Sequence, residues 1–254
     1  YDAHEWFPEM KEVVSRPLVH KIWLGIENWM VPRFPHGYTV SEAIAGHFNR
    51  SYGVEYALIR NLPLSKPWPP YPAKNRVILY QGAVNEGRCF EQLIPAMKDV
   101  RGELHIYGDG NYLEQAQALV RAHGLEDRVF FMGKRLPEEL ARITPQARVG
   151  ITLFDNQGRS NLHSLANRFF DYIQAGLPQL CSDYPAYRDI NRQHEVASLL
   201  ERTEPEEIAR ALNNLLDNEV LYSRLRSNCR EAAKIYTWEN ESVRLTRFYQ
   251  NLLS

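Results

Sequence analysis

Five short apolar runs alternate with segments of helical periodicity between residues 77 and 182. These runs are predicted strands, and they cover 77–81, 104–107, 129–132, 149–154 and 179–181. Strands that are apolar throughout and separated by helices are typical of a parallel sheet with helices on both faces. The pattern therefore predicts an α/β fold in which ligands bind beyond the carboxyl ends of the strands.

Glycines follow three of these predicted strands, at the edge of the sheet where a ligand would bind. They are Gly82, Gly108 with Gly110, and Gly133, which is followed by Lys134. Because glycine has no Cβ atom, its backbone can approach a bound molecule closely. The spacing does not match a dinucleotide-binding fingerprint, and the chain contains no P-loop, zinc-protease motif or serine-hydrolase elbow.

The stretch 160–178 combines polar residues with a helical apolar pattern. It predicts a helix from about residue 163 to 175, ended by Gly176 and Pro178. The predicted apolar face contains Leu165, Phe169, Tyr172 and Ile173. The polar residues toward the predicted N-terminus are Asn161, His163, Asn167 and Arg168, with Asp171 one turn further on. A helix N-terminus can hold a phosphate or a sugar hydroxyl, although an ordinary amphipathic helix explains the same pattern.

The first 72 residues have a different rhythm. Short strands are predicted at the start of the chain, at 38–40 and at 55–60, with a loop over 8–16. Helices are predicted over about 18–30 and from Ser41, a favourable N-cap residue, to about 50. Five prolines in residues 61–72 predict a linker and a domain boundary. Three strands are few for a whole domain, and the chain does not begin with methionine, so we expect either a missing upstream segment or a partner chain.

Composition excludes several classes of protein. The 254 residues carry a formal net charge of −1, which argues against disorder and against nucleic-acid binding. No apolar run approaches the roughly 20 residues that a membrane-spanning helix needs. Three widely spaced cysteines indicate reduced thiols in a cytoplasmic protein rather than disulfides or a metal site.

Four motifs occur in an order that resembles a known family. Residues 79–88, 106–110, 129–133 and 167–178 are similar to the donor-binding half of the retaining glycosyltransferases with the GT-B fold, group 1. Residues 1–5, 39–41 and 60–63 resemble the second half of that family's acceptor-side domain. The resemblance implies two Rossmann-like parallel-sheet domains, an incomplete one over 1–65 and a nucleotide-sugar-binding one over 66–235. Residues 236–254 would form a helix that crosses back to the first domain.

The resemblance also implies roles for individual residues. Gly82 and Arg88 match the loop and the basic residue at the donor diphosphate. Asp171 matches the carboxylate that holds the ribose hydroxyls, and Lys134 the loop at the nucleobase. The remaining donor-side residues are Gly108, Asn167 and Arg168. His4 is expected near the acceptor or the leaving phosphate.

Two departures from the family pattern are visible in the sequence. His163 stands where the first of two carboxylates is expected, so we treat it as a catalytic candidate together with His4 and Arg88. Residues 92–96 also lack the lysine that many relatives carry after the arginine. Phosphate charge would then rest on Arg88, Arg168 and the helix dipole.

The implied activity is transfer of a sugar from a nucleoside-diphosphate sugar, with UDP or GDP, to a hydroxyl acceptor with retention of configuration. We expect no metal and no cofactor other than this co-substrate. The process would be surface polysaccharide or glycolipid synthesis in the cytoplasm, and a lipid-linked acceptor, a growing glycan and contact with the inner face of a membrane all stay open. The alternatives are a non-catalytic nucleotide-sugar-binding partner subunit and a sugar-nucleotide epimerase.

Overall fold

The computed structural model describes residues 1–70, 73, 75–155 and 159–254, without the side chain of residue 159, and contains two parallel sheets. The first has the order β1-β2-β3, with β1 at Asp2–Ala3, β2 at His36–Thr39 and β3 at Glu55–Leu58. We call residues 1–58, which contain this sheet and its helices, the first region. Tyr71 and Pro72 of the predicted linker lie outside the described residues.

The helices of the first region differ in one place from the sequence prediction. Residues 8–16 are not a loop, because a 3₁₀ turn at Phe7–Glu9 leads into α1 at Lys11–Val14. Helix α2 spans Pro17–Met30, and a second 3₁₀ turn follows at Val31–Arg33. Helix α3, Glu42–Tyr52, begins as predicted at Ser41, whose Oγ accepts a hydrogen bond from the backbone N–H of Ile44 at 3.3 Å. It packs a small core that includes Trp6, Ile44 and Phe48.

The second sheet has six strands in the order β6-β5-β4-β7-β8-β9. They are β4 Val77–Gln81, β5 Glu103–Tyr107, β6 Val129–Phe131, β7 Val149–Thr152, β8 Gln179–Ser182 and β9 Ala197–Leu200. Sequence analysis missed β9, a strand of which Ser198 and Leu199 are only half-buried. The chain runs outward from β4 to β6 and then returns to β7, so the connections diverge between β4 and β7, where open α/β sheets bind ligands.

Helices cover both faces of this sheet, and we call residues 77–235 the second region. They are α4 Phe90–Ala96, α5 Leu113–His123, α6 Pro137–Ile143 with a 3₁₀ turn at Thr144–Gln146, α7 Arg159–His163, α8 Asn167–Gln174, α9 Pro185–His194, α10 Pro205–Asp217 and α11 Glu219–Ile235. Helices α4, α5 and α10 pack one core, and α8, α9 and α11 pack the other. Two parallel sheets with helices confirm the predicted fold class.

The predicted helix over 163–175 begins later than expected, because only α8 lies within that range and α7 ends at His163. Residues 164–166 separate α7 from α8, and Ala166 has extended backbone angles. The backbone N–H of Ala166 donates to the Tyr187 hydroxyl at 3.0 Å, and Ser164 Oγ donates to the carbonyl of Asn161 at 3.0 Å. These bonds replace helical ones at the break. Leu165 therefore lies in a loop, while Gly176 has the expected positive φ of 63°.

The last helix, α12 at Trp238–Leu253, returns to the first region. The backbone N–H of Trp238 donates to the carbonyl of Pro63 at 2.8 Å, and Glu241 accepts from the backbone N–H of Arg60 at 2.8 Å. The Phe248 ring meets Tyr38 of β2 at 5.5 Å. Across the described part of the chain, no helix is both long and apolar enough to cross a bilayer.

Candidate donor cleft

A cleft of about 410 Å³ lies between the two sheets. The second region contributes the residues that follow β4 and β7 and the start of α8. The first region contributes residues that follow β1 and belong to α1. Of the residues selected from the sequence, the cleft brings together His4, Gly82, Arg88, Asn167, Arg168 and Asp171.

Two arginines form one wall of the cleft. The guanidinium carbon of Arg88 lies 4.5 Å from the centre of the Phe154 ring, and that of Arg168 lies 4.7 Å from the same ring. Arg168 is 9% exposed, and its Nε donates to the carbonyl of Ile151 at 3.1 Å. Nη1 of Arg88 donates to Oδ1 of Asn161 at 3.3 Å. The two cations are therefore held at the carboxyl end of the sheet on a shared aromatic ring.

Neither arginine is neutralised within the part of the chain that the structure describes. No salt bridge to a carboxylate is formed by either guanidinium there, and Nε of Arg88 and Nη2 of Arg168 are buried without a hydrogen-bond acceptor. Burial lowers the pKa of Arg88, and the neighbouring Arg168 lowers it further. A buried donor without an acceptor is costly, so two such cations side by side favour an anionic ligand that could accept from both.

The glycines after the strands shape this end of the sheet. Backbone hydrogen bonds continue past the strands, from the N–H of Gly82 to the carbonyl of Tyr107 at 2.9 Å and from the N–H of Gly108 to that of Gly133 at 3.1 Å. Gly108 has a φ of 153°, and a Cβ atom there would lie 1.8 Å from the carbonyl oxygen of Gly82. Gly108 thus supports the backbone beneath the cleft, whereas Gly82 lines it.

Asp171 lies on α8, one turn after Asn167, and opens toward the cleft. Its Oδ2 accepts from Nε2 of Gln81 at 3.2 Å, and its Oδ1 lies 3.9 Å from Nζ of Lys66. Burial raises the pKa of this carboxyl group, while Lys66 and the Gln81 amide act in the opposite direction. A carboxylate with free lone pairs at a cleft can accept from two hydroxyl groups.

His4 follows β1 and lines the cleft from the first region, whereas Asp171 lines it from the second. Its Nε2 lies 2.9 Å from Oδ2 of Asp2, and its Nδ1 lies 3.1 Å from the amide nitrogen of Asn61. These partners define one tautomer, in which Nε2 donates to Asp2 and Nδ1 accepts from Asn61. The ring is thus oriented at the rim where the cleft opens.

Three of the sequence candidates do not line the cleft. His163 ends α7, and its ring lies 6.1 Å from the ring of Trp6. Lys134 is exposed beyond β6, and Gly108 lies beneath the cleft as described above. The break between α7 and α8 separates His163 from Asp171, which a continuous helix would have placed two turns apart on one face.

Sequence analysis missed a chain of polar contacts that joins the two regions. Nζ of Lys11 lies 3.4 Å from Oδ2 of Asp155 and 3.9 Å from Oε2 of Glu86. Oδ1 of Asp155 accepts from the amide of Asn161 at 3.2 Å, and Asn161 contacts Arg88. Asp155 follows β7 in the sequence, and its place after a predicted strand was the signal that could have identified it.

A second cavity adjoins the cleft on the far side of Asp171. It has a volume of about 480 Å³ and shares Gln81, Leu140 and Asp171 with the cleft. Its other walls are the proline-rich segment at 66–69 and helix α6. A third cavity, also about 480 Å³, lies along β1 and α2 and meets the cleft at His4 and Glu5.

Two Rossmann-like sheets whose strand ends meet at one cleft form the GT-B architecture. Similarity to solved structures supports this assignment of the fold. Sucrose-phosphate synthase from Thermosynechococcus elongatus superposes with a TM-score of 0.79 at 20% identity, over 92% of this chain and 62% of that one. HepE from Anabaena, solved in complex with UDP, superposes with a TM-score of 0.76 at 15% identity, over 99% of this chain and 71% of that one.

The sequence profile for "Glycosyl transferases group 1" matches residues 66–235. This chain therefore belongs to the group 1 glycosyltransferase family. A phosphatidyl-myo-inositol mannosyltransferase from Mycobacterium leprae is 25% identical over 188 residues, which is 72% of this chain and 48% of the relative. The chain thus spans about half the length of the curated relative that it matches.

Proposed function

We propose that this protein transfers a sugar from a nucleoside-diphosphate sugar to a hydroxyl acceptor with retention of configuration. The observation that carries the proposal is the pair of guanidinium groups of the half-buried Arg88 and the buried Arg168, with no carboxylate partner among the described residues. Two such cations at the strand ends of a parallel sheet suit a diphosphate, because each guanidinium can bind phosphate oxygens through two N–H groups.

The groups next to the two arginines suit the ribose and the nucleobase of the donor, which follow the diphosphate in that order. Gly82 would lie beneath the diphosphate, and Asp171 would accept from the two ribose hydroxyls. The cavity between α6 and residues 66–69 adjoins Asp171 and would take the nucleobase. In this arrangement the base lies beyond Asp171, and not at Lys134. The size of the cavity admits the base of either UDP or GDP.

The chemistry requires stabilisation of a departing diphosphate. The bond between the anomeric carbon and the phosphate oxygen breaks while a bond to the acceptor oxygen forms on the same face of the sugar. Negative charge then develops on the diphosphate, where Arg88 and Arg168 stabilise it. The acceptor proton passes to an oxygen of that phosphate. These steps use neither a metal ion nor a further cofactor.

The acceptor would enter from the first region, where His4 lies at the rim of the cleft. We assign His4 to orienting the acceptor hydroxyl or the leaving phosphate, a role in which one ring nitrogen would exchange its present partner, Asp2 or Asn61, for the ligand. The mycobacterial relative is named for a lipid, phosphatidyl-myo-inositol. By analogy we place the reaction in glycolipid or surface polysaccharide synthesis, on a lipid-linked acceptor or a growing glycan.

Calorimetric titration with UDP, GDP and their nucleosides tests the donor site. Arg88→Ala should weaken binding of the matching diphosphate by about 100-fold, or roughly 3 kcal/mol, because a charge-assisted contact is lost. Binding of the nucleoside should be unchanged. Arg121→Ala, which removes an exposed arginine on α5, is the matched control. Equal losses for nucleoside and diphosphate would remove Arg88 from the diphosphate.

Assays of turnover test the reaction itself. Incubation with a panel of nucleoside-diphosphate sugars and hydroxyl acceptors, followed by NMR of the product, should show transfer with a retained anomeric configuration. Activity should persist in EDTA, and its loss would contradict the metal-free mechanism. A partner subunit without catalysis is the second candidate, favoured by the position of His163 outside the cleft, and binding without transfer or hydrolysis would establish it. A changed sugar in the absence of acceptor would indicate an epimerase.

We also infer contact with an anionic membrane surface through α2. Leu18, Ile22, Ile26 and Trp29 recur at helical spacing and are 73%, 53%, 40% and 59% exposed. The exposed cations Arg16, Lys21 and Arg33 flank this stripe, which is the pattern of an interfacial helix. Co-sedimentation with vesicles containing anionic lipid should fall several-fold in Ile22→Glu and stay unchanged in Val220→Glu, an exposed position on α11. Unchanged binding in Ile22→Glu would exclude α2.

A further inference from the structure

Gln81, the last residue of β4, lies between two polar groups and is 5% exposed. Its Oε1 accepts from the hydroxyl of Thr144 at 2.7 Å, and its Nε2 donates to Oδ2 of Asp171 at 3.2 Å. Its backbone N–H donates to the hydroxyl of Tyr172 at 3.2 Å. The backbone is thus fixed, while the side-chain amide connects the 3₁₀ turn after α6 to the carboxyl group in the cleft.

The hydroxyl of Thr144 has two acceptors for one proton. It lies 2.7 Å from Oε1 of Gln81 and also 2.7 Å from the carbonyl oxygen of Leu140. A hydroxyl donates one hydrogen bond and can accept others. When the proton points to Gln81, the carbonyl of Leu140 still accepts from the backbone N–H of Thr144. The carbonyl of Leu140 therefore stays paired while the hydroxyl donates to Gln81, and the hydroxyl can turn to Leu140 only when Oε1 of Gln81 has another donor.

When Asp171 is protonated at Oδ2, it needs a hydrogen-bond acceptor from Gln81 instead of a donor. The ionised carboxylate accepts from the Nε2 group, but a protonated Oδ2 would set a donor against that donor. Rotation of the amide by half a turn restores the bonds: Oδ2–H donates to Oε1, Nε2 donates to Thr144 Oγ1, and Thr144 donates to Leu140. Protonation at Oδ1 instead is disfavoured by the ammonium group of Lys66 at 3.9 Å.

The charged groups around Asp171 come from several elements. Lys66 approaches from the proline-rich segment, and Arg168 belongs to the same helix. Glu138 and Arg142 of α6 line the adjoining cavity. From β4, the facing group is the neutral amide of Gln81. Burial raises the pKa of Asp171 from its usual value, which brings the protonated form closer to physiological pH.

We propose that Gln81 is a positioning residue for Asp171 and that its amide turns over when the carboxyl group gains a proton. The cleft then has two complete hydrogen-bond arrangements. In the first, both oxygens of the ionised Asp171 retain lone pairs for a diol. In the second, Oδ2 is occupied as a donor to Gln81, and the diol loses an acceptor. This inference rests on the proposed function only in taking the diol to be a ribose.

The arrangement is tested without turnover, by NMR of the carboxyl carbon of Asp171 and the side-chain amide of Gln81 in the intact chain. Both signals should titrate together in the wild type. Gln81→Leu removes a donor to the charged form, so the pKa of Asp171 should rise further. Thr144→Val should broaden or shift the Gln81 amide signal, and Thr144→Ser, which keeps the hydroxyl, should restore it. Independent titration of the two groups, or an unchanged Asp171 pKa in Gln81→Leu, would overturn the proposal.

Nucleotide binding supplies the functional readout. Affinity for UDP or GDP should fall as the pH is lowered through the pKa of Asp171, because the protonated form lacks one acceptor for the diol. In Gln81→Leu this fall should begin at higher pH, with affinity about tenfold lower at the pH where the wild type still binds fully. If no nucleotide binds at any pH, the proposed function fails, whereas the coupled titration of Asp171 and Gln81 is still decided by NMR.

Discussion

The two regions differ in how completely they bury their apolar residues. The second region has six strands with helices on both faces, and its central strands β4, β7 and β8 are almost fully buried. The first region has three strands, and nine of the seventeen large apolar side chains that are exposed among the described residues lie within residues 1–34. The donor wall is therefore built on a complete core, while the acceptor side depends more on its contacts with the rest of the chain.

Two glycine substitutions should separate the regions most strongly. Gly108→Ala would place a Cβ atom 1.8 Å from the backbone oxygen of Gly82. Backbone cannot yield cheaply, so we expect a loss of about 3 kcal/mol or more in the free energy of unfolding. Gly25 lies within α2 with open space at its Cβ position, so Gly25→Ala should stabilise the helix by about 0.5–1 kcal/mol.

Urea unfolding of both variants measures these changes. If Gly108→Ala did not lower the free energy of unfolding relative to Gly25→Ala, the strand ends of the second region would be less constrained than the close approach of Gly108 to Gly82 indicates.

Asp171→Ala should have an intermediate effect, on binding rather than folding. We expect affinity for ribonucleotides to fall by roughly 1–3 kcal/mol, because the ribose hydroxyls lose their acceptor. The corresponding deoxyribonucleotide, with one hydroxyl fewer, should lose less. Asp189→Ala, at an exposed position on α9, is the control for net charge. An unchanged ribonucleotide affinity in calorimetry would show that Asp171 does not contact the ribose.

Lys11→Met should have the smallest effect. Lys11 links α1 to Asp155 and Glu86 across the cleft, with 29% of its side chain exposed. Partly exposed ion pairs contribute about 0.5 kcal/mol, and salt screens them. We expect a decrease in Tm of a few degrees or less, which should shrink further in high salt. A decrease that is insensitive to salt would assign Lys11 a packing role instead.

The sequence predicted the second region better than the first, for a physical reason. Runs such as 77–81 are buried on both faces, so the apolar pattern alone identifies them as strands. Strand β9 escaped notice because Ser198 interrupts its apolar run, and Ser198 and Leu199 are only half-buried. The break after His163 depends on the hydroxyl of Tyr187, and a contact between distant residues leaves no periodic signal.

The residues of the candidate site also fall into two groups, those that local sequence motifs identify and those whose position depends on distant contacts. Gly82, Arg88, Arg168 and Asp171 were selected from motifs, and all four line the cleft. Gln81 and Lys11 were not selected, because their position depends on partners elsewhere in the fold. His163 was selected because the resemblance places a carboxylate eight residues before Asp171, and the break between α7 and α8 leaves it outside the lining of the cleft, so its catalytic role stays a prediction.

The path of α12 bears on how the cleft could open. The main chain crosses between the two regions twice, near Pro63 and near Trp238. The two crossings lie side by side, because the backbone N–H of Trp238 donates to the carbonyl of Pro63. At the second crossing, Glu239 accepts a hydrogen bond from the backbone N–H of Ser65, and Glu241 accepts one from the backbone N–H of Arg60. If these two adjacent crossings served as a hinge, rotation about them would change the distance between Lys11 and Asp155 on either side of the cleft. Substitution of Glu241 would then alter the rate of substrate entry and product release while leaving the donor contacts themselves intact.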